Sequence, residues 1–279
     1  MRRGGNSVRI GLVGKPNVGK STFFAASTLI PVDIANYPFC TIEPNVGFSF
    51  IPSRQPCPCG SLRKRLEEDG RVQFSEERGG SICSPRTGSC EGHQRYVPCM
   101  LVDVAGLVPG ASQGRGRGNA FLSDLAECDA LIQVIDVAGT TDIEGNPTGV
   151  KATKEQAIEQ ALAEVEFLIS ELDAWLLGLV KDGWSRGARR IQAEGVKGFI
   201  QFLQERLSGL GATDSICQRS FDAFAQQHSD MTSPWDWSDD VLTLLASSIR
   251  KHLFPIFVAG NKADLAPAVS YTHLRAHET

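Results

Sequence analysis

A largely apolar run, Val8–Val13, breaks directly into Gly14-Lys-Pro-Asn-Val-Gly-Lys-Ser21, and no other junction constrains the fold of these 279 residues so tightly. Two glycines five positions apart followed by a Lys-Ser pair, placed between a strand and a helix expected to start near Ser21, form a P-loop. Gly14 and Gly19 allow a tight turn whose backbone N–H groups face a phosphate, and the helix N-terminus adds favourable potential there. Lys20 is placed to reach the outer phosphates as a point charge. The Ser21 hydroxyl suits magnesium, a cation that prefers oxygen ligands. The expected phosphate-contacting stretch is Gly14, Lys15, Pro16, Asn17, Val18, Gly19, Lys20, Ser21 and Thr22.

Three further strand-like runs, Cys99–Val102, Ala130–Asp136 and Pro255–Ala259, alternate with helical patterns. Short, apolar strands of this kind indicate a mostly parallel sheet with helices on both faces, the α/β P-loop fold. Each run ends in a Gly, Asp or Asn cluster, and such sheets bind ligands beyond the carboxyl ends of their strands. Two stretches interrupt the rhythm. Residues 52–96 read as a long irregular excursion carrying Cys57, Cys59, Cys83 and Cys90. Residues 151–250 read as an inserted α-helical hairpin or bundle. One stripe runs Ile158, Ala161, Leu162, Val165, Leu168, Ile169, Leu172, Leu176; a second, Val196, Phe199, Ile200, Leu203, Leu207, Leu210, follows a break at Asp182–Arg190. Trp175, Trp184, Trp235 and Trp237 are expected to close the bundle, and Asp236–His252 to return the chain to the sheet. The expected organisation is residues 7–150 as the first part of a nucleotide domain, 151–250 as the insertion and 251–268 as the return. Residues 269–279 lack periodicity, resemble a translated cloning scar and are set aside as non-native.

Asp103-Val-Ala-Gly106 follows the second strand. In P-loop proteins a carboxylate here holds magnesium through water, and the glycine N–H meets the terminal phosphate. Asn261-Lys-Ala-Asp264 ends the last strand. Asp264 can accept two hydrogen bonds from guanine that adenine does not offer, while Asn261 braces the loops and the Lys262 stem covers the base.

These motifs together resemble the translation-factor-like GTPases. Asn36-Tyr-Pro-Phe-Cys-Thr-Ile-Glu-Pro-Asn45 and the glycine-rich string Asp103–Asn119 narrow the likeness to the Obg-like group, in the archaeal and fungal form of its YchF branch, over most of residues 7–265. The resemblance implies that Thr41 closes over magnesium and the terminal phosphate, so that Lys20, Thr41 and Gly106 form the catalytic set, with Ser21, Thr41 and Asp103 arranging the metal. Better-known YchF members lack an intact Asn-Lys-x-Asp and favour ATP; here the motif is intact, which points to GTP and GDP. Leu107 stands where Ras-type enzymes carry a water-orienting glutamine, so intrinsic hydrolysis should be slow. Asn17 is either a potassium ligand, as in related GTPases, or a turn-stabilising residue. Arg115 and Arg117 are either an internal finger or solvated charges. The resemblance also implies a ribosome-associated switch in translation. The expected ribosome or RNA contacts run through the helical insertion and through a small C-terminal domain that this chain is expected to lack. The alternative is a nucleotide-gated binding module whose hydrolysis is incidental or directed to ATP.

The four cysteines of the excursion are either a zinc site, with His93 as a spare ligand, or free thiols. Cys40, Cys99, Cys128 and Cys217 read as packing residues. No export signal precedes the first strand, so a reducing, cytoplasmic setting is expected for the eight cysteines. No run approaches the roughly 18 apolar residues of a membrane span. A net charge of −4 excludes a strongly basic nucleic-acid binder, though Arg186, Arg189 and Arg190 form a local basic cluster.

Overall fold

Strand β1 (Val8–Val13) enters the P-loop, and helix α1 (Lys20–Thr28) leaves it, in a computed structural model that describes residues 8–28, 46–71, 77–104, 106, 124–149, 152–228 and 233–266. Contacts divide the chain into two compact units. One gathers Ile10–Ser21 with the described residues from Asp103 onward; the other gathers Val8, Arg9 and those from Thr22 to Val102.

In the first unit β1 pairs in parallel with β5 (Ala130–Asp136), register Ile10 to Ala130, and β5 pairs in parallel with β6 (Ile256–Asn261), register Leu131 to Ile256. Leu12, Val13, Leu131, Val134 and Ile135 are fully buried, as strands covered on both faces require. Parallel neighbours need a long crossover. Between β5 and β6 that crossover is helical: α3 (Lys154–Lys181), α4 (Trp184–Leu207), α5 (Asp214–Gln227) and α6 (Asp239–Leu253). Helix α3 opens on a capping box between Thr153 and Gln156. It packs against α6 and β5, and α5 packs against both α4 and α6. Arg250 Nε lies 2.7 Å from Asp173 Oδ1, a largely buried ion pair tying α6 to α3.

The helical stripes are only partly those expected. In α3 the buried positions are Ala157, Ala161, Glu164, Leu168, Leu172, Leu176 and Val180, so the stripe runs through a glutamate. Ile158, Leu162, Val165 and Ile169 flank it at intermediate exposure. The break between the first two long helices is only Asp182 and Gly183; α4 starts at Trp184 and kinks at Gly195. Phe199, Ile200, Leu203 and Leu207 are buried, whereas Val196, beside the kink, is exposed. Trp184 and Trp237 stack at 5.6 Å among Phe199, Phe202 and Phe224, and Trp175 stacks on Phe254. Trp235 does not join them; it sits half exposed in the short 3-10 turn Pro234–Asp236.

The second unit is antiparallel. Strand β2 (Val46–Pro52) pairs with β4 (Gln94–Asp103) from Val46–Val102 to Pro52–Tyr96, and β3 (Ser89–Glu91) pairs with the start of β4. Strand pairing is therefore of both kinds, parallel for β1, β5 and β6 and antiparallel for the rest. Between β2 and β3, helix α2 (Cys59–Glu68) gives the expected excursion an ordered element. Among the described residues no helix is long and apolar enough to cross a membrane.

Candidate functional site

The P-loop backbone takes conformations that its sequence was chosen to allow. Gly14 lies at φ 150°, and an added Cβ would collide with the Val134 carbonyl of β5. Gly19, at φ 94°, faces the Asn261 side chain at a separation no Cβ could share. Asn17 also adopts the left-handed region, at φ 59°, which asparagine tolerates better than most residues. Its Nδ2 donates to the Gly145 carbonyl at 2.9 Å, leaving its Oδ1 for another partner.

Lys20 opens α1 with its ammonium folded back over the loop, donating to the carbonyls of Gly14 at 3.1 Å and Lys15 at 3.0 Å. Burial pushes its pKa down and the nearby Asp103 carboxylate opposes that shift. A largely desolvated cation above a row of backbone N–H groups can take phosphate oxygens. One residue on, Ser21 Oγ donates to Asp103 Oδ2 at 2.7 Å. Hydroxyl and carboxylate oxygens in contact, one of them on an exposed residue, suit a small hard cation. Gly106 lies against the loop: a Cβ there would stand 3.1 Å from Pro16 Cγ. Thr41, Leu107, Arg115 and Arg117 lie outside the described residues.

The loop after β6 reaches the same place. Asn261 Nδ2 donates to the Val18 carbonyl at 2.7 Å, binding the Asn-Lys-x-Asp loop to the P-loop. Lys262, at φ 59°, places Nζ 2.9 Å from Asp136 Oδ2 and 2.8 Å from Thr140 Oγ1. Asp264 is exposed at the end of this loop. Lys20 and Ser21 after β1 and Asn261 and Lys262 at the end of β6 thus lie beside one another through the Asn261–Val18 bond, with Asp103 joined to them through Ser21.

Sequence reasoning missed the support beneath them. Asp136, the last residue of β5, is fully buried and accepts from the backbone of Ala138 and Thr140, from the hydroxyls of Thr140 and Thr141, and from Lys262. Burial alone would raise its carboxyl, but these hydrogen bonds outweigh it and hold the group below the ordinary carboxylate range. Lys15 donates to the Thr141 carbonyl at 2.9 Å and lies 2.6 Å from Glu164 Oε1 in α3, both residues almost wholly buried. The other oxygen, Oε2, accepts from the Asp136 backbone N–H. The signal was a glutamate at a core-facing position of a helix, which almost never goes unpaired when buried.

Burial pushes the Glu164 carboxyl up to about 7 against the pull of Lys15. Between its ordinary value of 4.5 and 7 the folded chain therefore holds a proton that the unfolded chain has released, so stability falls as pH rises through that window. A Glu164→Gln variant has no such proton to lose. Its unfolding free energy should gain on the wild type by about 3 kcal/mol between pH 4.5 and 8. Urea unfolding of both proteins at pH 5 and pH 8 reads this directly; parallel pH profiles would contradict it.

Elsewhere, the sulfurs of Cys57, Cys59, Cys83 and Cys90 lie within 4.8 Å of one another, in the second unit. A hydrogen bond from the Cys59 backbone and neighbouring sulfurs bring Cys57 down to about 7, while burial pushes Cys83 up to about 12 and raises Cys90. Cys99, Cys128 and Cys217 are buried packing residues. Of the basic cluster, Arg186 and Arg189 are exposed on the first turns of α4, and Arg190 pairs with Glu205 at 2.8 Å.

A family model described as 50S ribosome-binding GTPase matches residues 9–170. An uncharacterised GTP-binding protein of Methanocaldococcus jannaschii is 42% identical over 256 residues, which cover 91% of this chain and 56% of that protein. A GTP-binding protein of Schizosaccharomyces pombe, also uncharacterised, is 34% identical over 262 residues, with coverages of 93% and 56%. Human Obg-like ATPase 1 is 38% identical over 258 residues, with coverages of 90% and 51%. The crystal structure of a GTP-binding protein from Pyrococcus horikoshii OT3 superposes with a TM-score of 0.66 at 30% identity, covering 97% of this chain and 61% of that one. The chain spans just over half the length of the curated relatives it matches.

Proposed function

Because the chain belongs to the 50S ribosome-binding GTPase family, in its Obg-like YchF branch, we propose that it is a guanine-nucleotide switch that hydrolyses GTP slowly to GDP and phosphate. The observation that carries this reading is the Asn261–Val18 hydrogen bond, which joins a base-reading loop to a phosphate-binding loop. On this reading Lys20 and the P-loop N–H groups hold the phosphates, and Asp264 accepts from the guanine ring N–H and amino group. Ser21, and Asp103 through water, would hold magnesium, whose charge offsets that of the phosphate oxygens. The Gly106 N–H meets the terminal phosphate, and Thr41 closes over it. Leu107 offers the attacking water no hydrogen bond, so turnover is slow.

Asn17 would then hold potassium through Oδ1, because its Nδ2 is already held by Gly145. A cation held there would supply positive charge close to the phosphates. The expected partner is the ribosome, met in the cytoplasm, with the helices between β5 and β6 as one contact. One feature favours the second reading, a nucleotide-gated binding module: the Lys15–Glu164 pair joins the P-loop to α3, so a loop that shifted with bound nucleotide would pull on the helix.

Multiple-turnover hydrolysis, measured in potassium and in sodium, with and without ribosomes, tests these readings together. GTP turnover at least tenfold faster in potassium, and faster again with ribosomes, is the expected result. Equal rates in the two salts remove the potassium ligand. Ribosomes that bind in a nucleotide-dependent way without raising turnover favour the gated module instead.

A further inference from the structure

We propose that Cys57, Cys59, Cys83 and Cys90 bind one zinc ion as a closed structural site, separate from the nucleotide loops. The Cys57–Cys83 and Cys59–Cys90 sulfurs each stand 3.7 Å apart, and all four lie within 4.8 Å of one another. A tetrahedron of thiolates at a Zn–S distance of about 2.3 Å has edges of about 3.8 Å. Both pairs are at that spacing. A disulfide would bring its sulfurs to about 2.05 Å, much closer than either pair stands.

The ligands come from three pieces of chain that little else holds. Cys57 precedes α2 and Cys59 opens it, Cys83 lies in the following loop, and Cys90 is the middle residue of β3. Among the described residues from 53 to 93, the buried apolar side chains are Cys59 and Cys90 themselves. A segment without an apolar core folds only if something else supplies the free energy, and a structural metal does so outright. Four soft thiolates in a tetrahedron favour zinc or iron over hard cations, and leave no position for a catalytic water.

The surroundings are built to support thiolates. The Gly92–His93 turn between β3 and β4 is threaded into the cluster: the Cys57 N–H donates to the His93 carbonyl at 2.7 Å, and the His93 N–H donates to Ser81 Oγ at 2.8 Å. Ser81 Oγ lies 3.5 Å from Cys90 Sγ, and His93 Nδ1 lies 3.5 Å from Cys59 Sγ. Hydroxyl and imidazole thus stand beside two of the sulfurs as outer hydrogen-bonding partners, leaving the four cysteines as the complete ligand set. When zinc binds, each protonated thiol releases its proton to solvent, and no redox step is involved.

The test uses the 279-residue chain purified under reducing conditions without added metal. Elemental analysis should find one zinc per chain, and titration with an organomercurial should release it after four equivalents of thiol have reacted. Zinc below a tenth of an equivalent, stoichiometric iron, or a disulfide between any two of these cysteines would each overturn the assignment. Cys83→Ser and Cys90→Ser should cut zinc content at least tenfold. If either variant fails to fold, cobalt exchange into the wild type decides: intense sulfur-to-cobalt charge transfer and visible bands of a tetrahedral ion are expected. An octahedral, weakly absorbing cobalt spectrum would sink the site. None of these readouts involves nucleotide.

Discussion

A Lys20→Met variant should lose at least a hundredfold in affinity for GTP and GDP while keeping its fold. Lys20 as a residue is nine-tenths buried, and the two described hydrogen bonds of its ammonium are to P-loop carbonyls, which a bound phosphate can supplement. Methionine preserves the stem and its packing but removes the charge. A charge-assisted hydrogen bond contributes about 1.5–3 kcal/mol, and a buried one to a multiply charged phosphate belongs at the top of that range. A hundredfold change in dissociation constant corresponds to about 2.7 kcal/mol. Titration with a fluorescent guanine nucleotide, beside a thermal melt, makes the measurement. Affinity within threefold of the wild type would mean that this loop does not carry the phosphates.

Asp264→Asn should exchange one base for another. A carboxylate at this position can accept two hydrogen bonds from guanine; an asparagine amide, with one oxygen and one nitrogen, would leave one guanine donor unmatched. Xanthine, with a carbonyl where guanine has its amino group, matches the amide instead. The loss for GDP should be about a hundredfold, with a comparable gain for xanthosine diphosphate, since an unmatched polar group in a closed pocket costs 1–3 kcal/mol or more. The residue is exposed in the free protein, so stability should move by less than about 0.5 kcal/mol. Competition among guanosine, xanthosine and adenosine diphosphates on both proteins settles the matter. If the wild type takes guanine and adenine equally, Asp264 does not read the base.

Much of this arrangement could be read from the residues alone, for identifiable reasons. Strands β1 and β5 fall on their expected bounds because covered parallel strands write themselves as short apolar runs closed by Gly or Asp. The P-loop and the Asn-Lys-x-Asp loop were legible because their backbones need particular glycines and asparagines. Strand β4 was not. It begins at Gln94, five residues before the expected start, because its first half is Gln-Arg-Tyr-Val-Pro, a partly exposed antiparallel stretch whose proline argues against a strand. Helix α2 has few apolar residues and is held by Cys59 and by Arg63 bonded to the Gly80 carbonyl, so no periodicity announced it.

The contacts that matter most to the site were the hardest to foresee. Glu164 interrupts an apolar stripe, and a pattern search drops such a residue although its meaning lies in Lys15, 149 positions earlier. Asp136 was visible as a strand end, but five hydrogen bonds to its carboxylate come from four residues, three just after it and Lys262, and only folding shows that they share one group. The four cysteines were countable, while their clustering within 4.8 Å needed the β3–β4 turn to bring Cys90 back to Cys59.

Helix α3 has a mechanical consequence of its own. At 28 residues it is a rod about 42 Å long, and Glu164, joined to the P-loop, lies near its first third. Some 26 Å of rod extends beyond that joint to Lys181. Turning it by about 5° about Glu164 would sweep the far end through roughly 2 Å, enough to shift one packed side chain past another. If bound nucleotide tilted α3 at the Lys15–Glu164 joint, the length of the helix alone would carry that tilt to Lys181 as a displacement of this size.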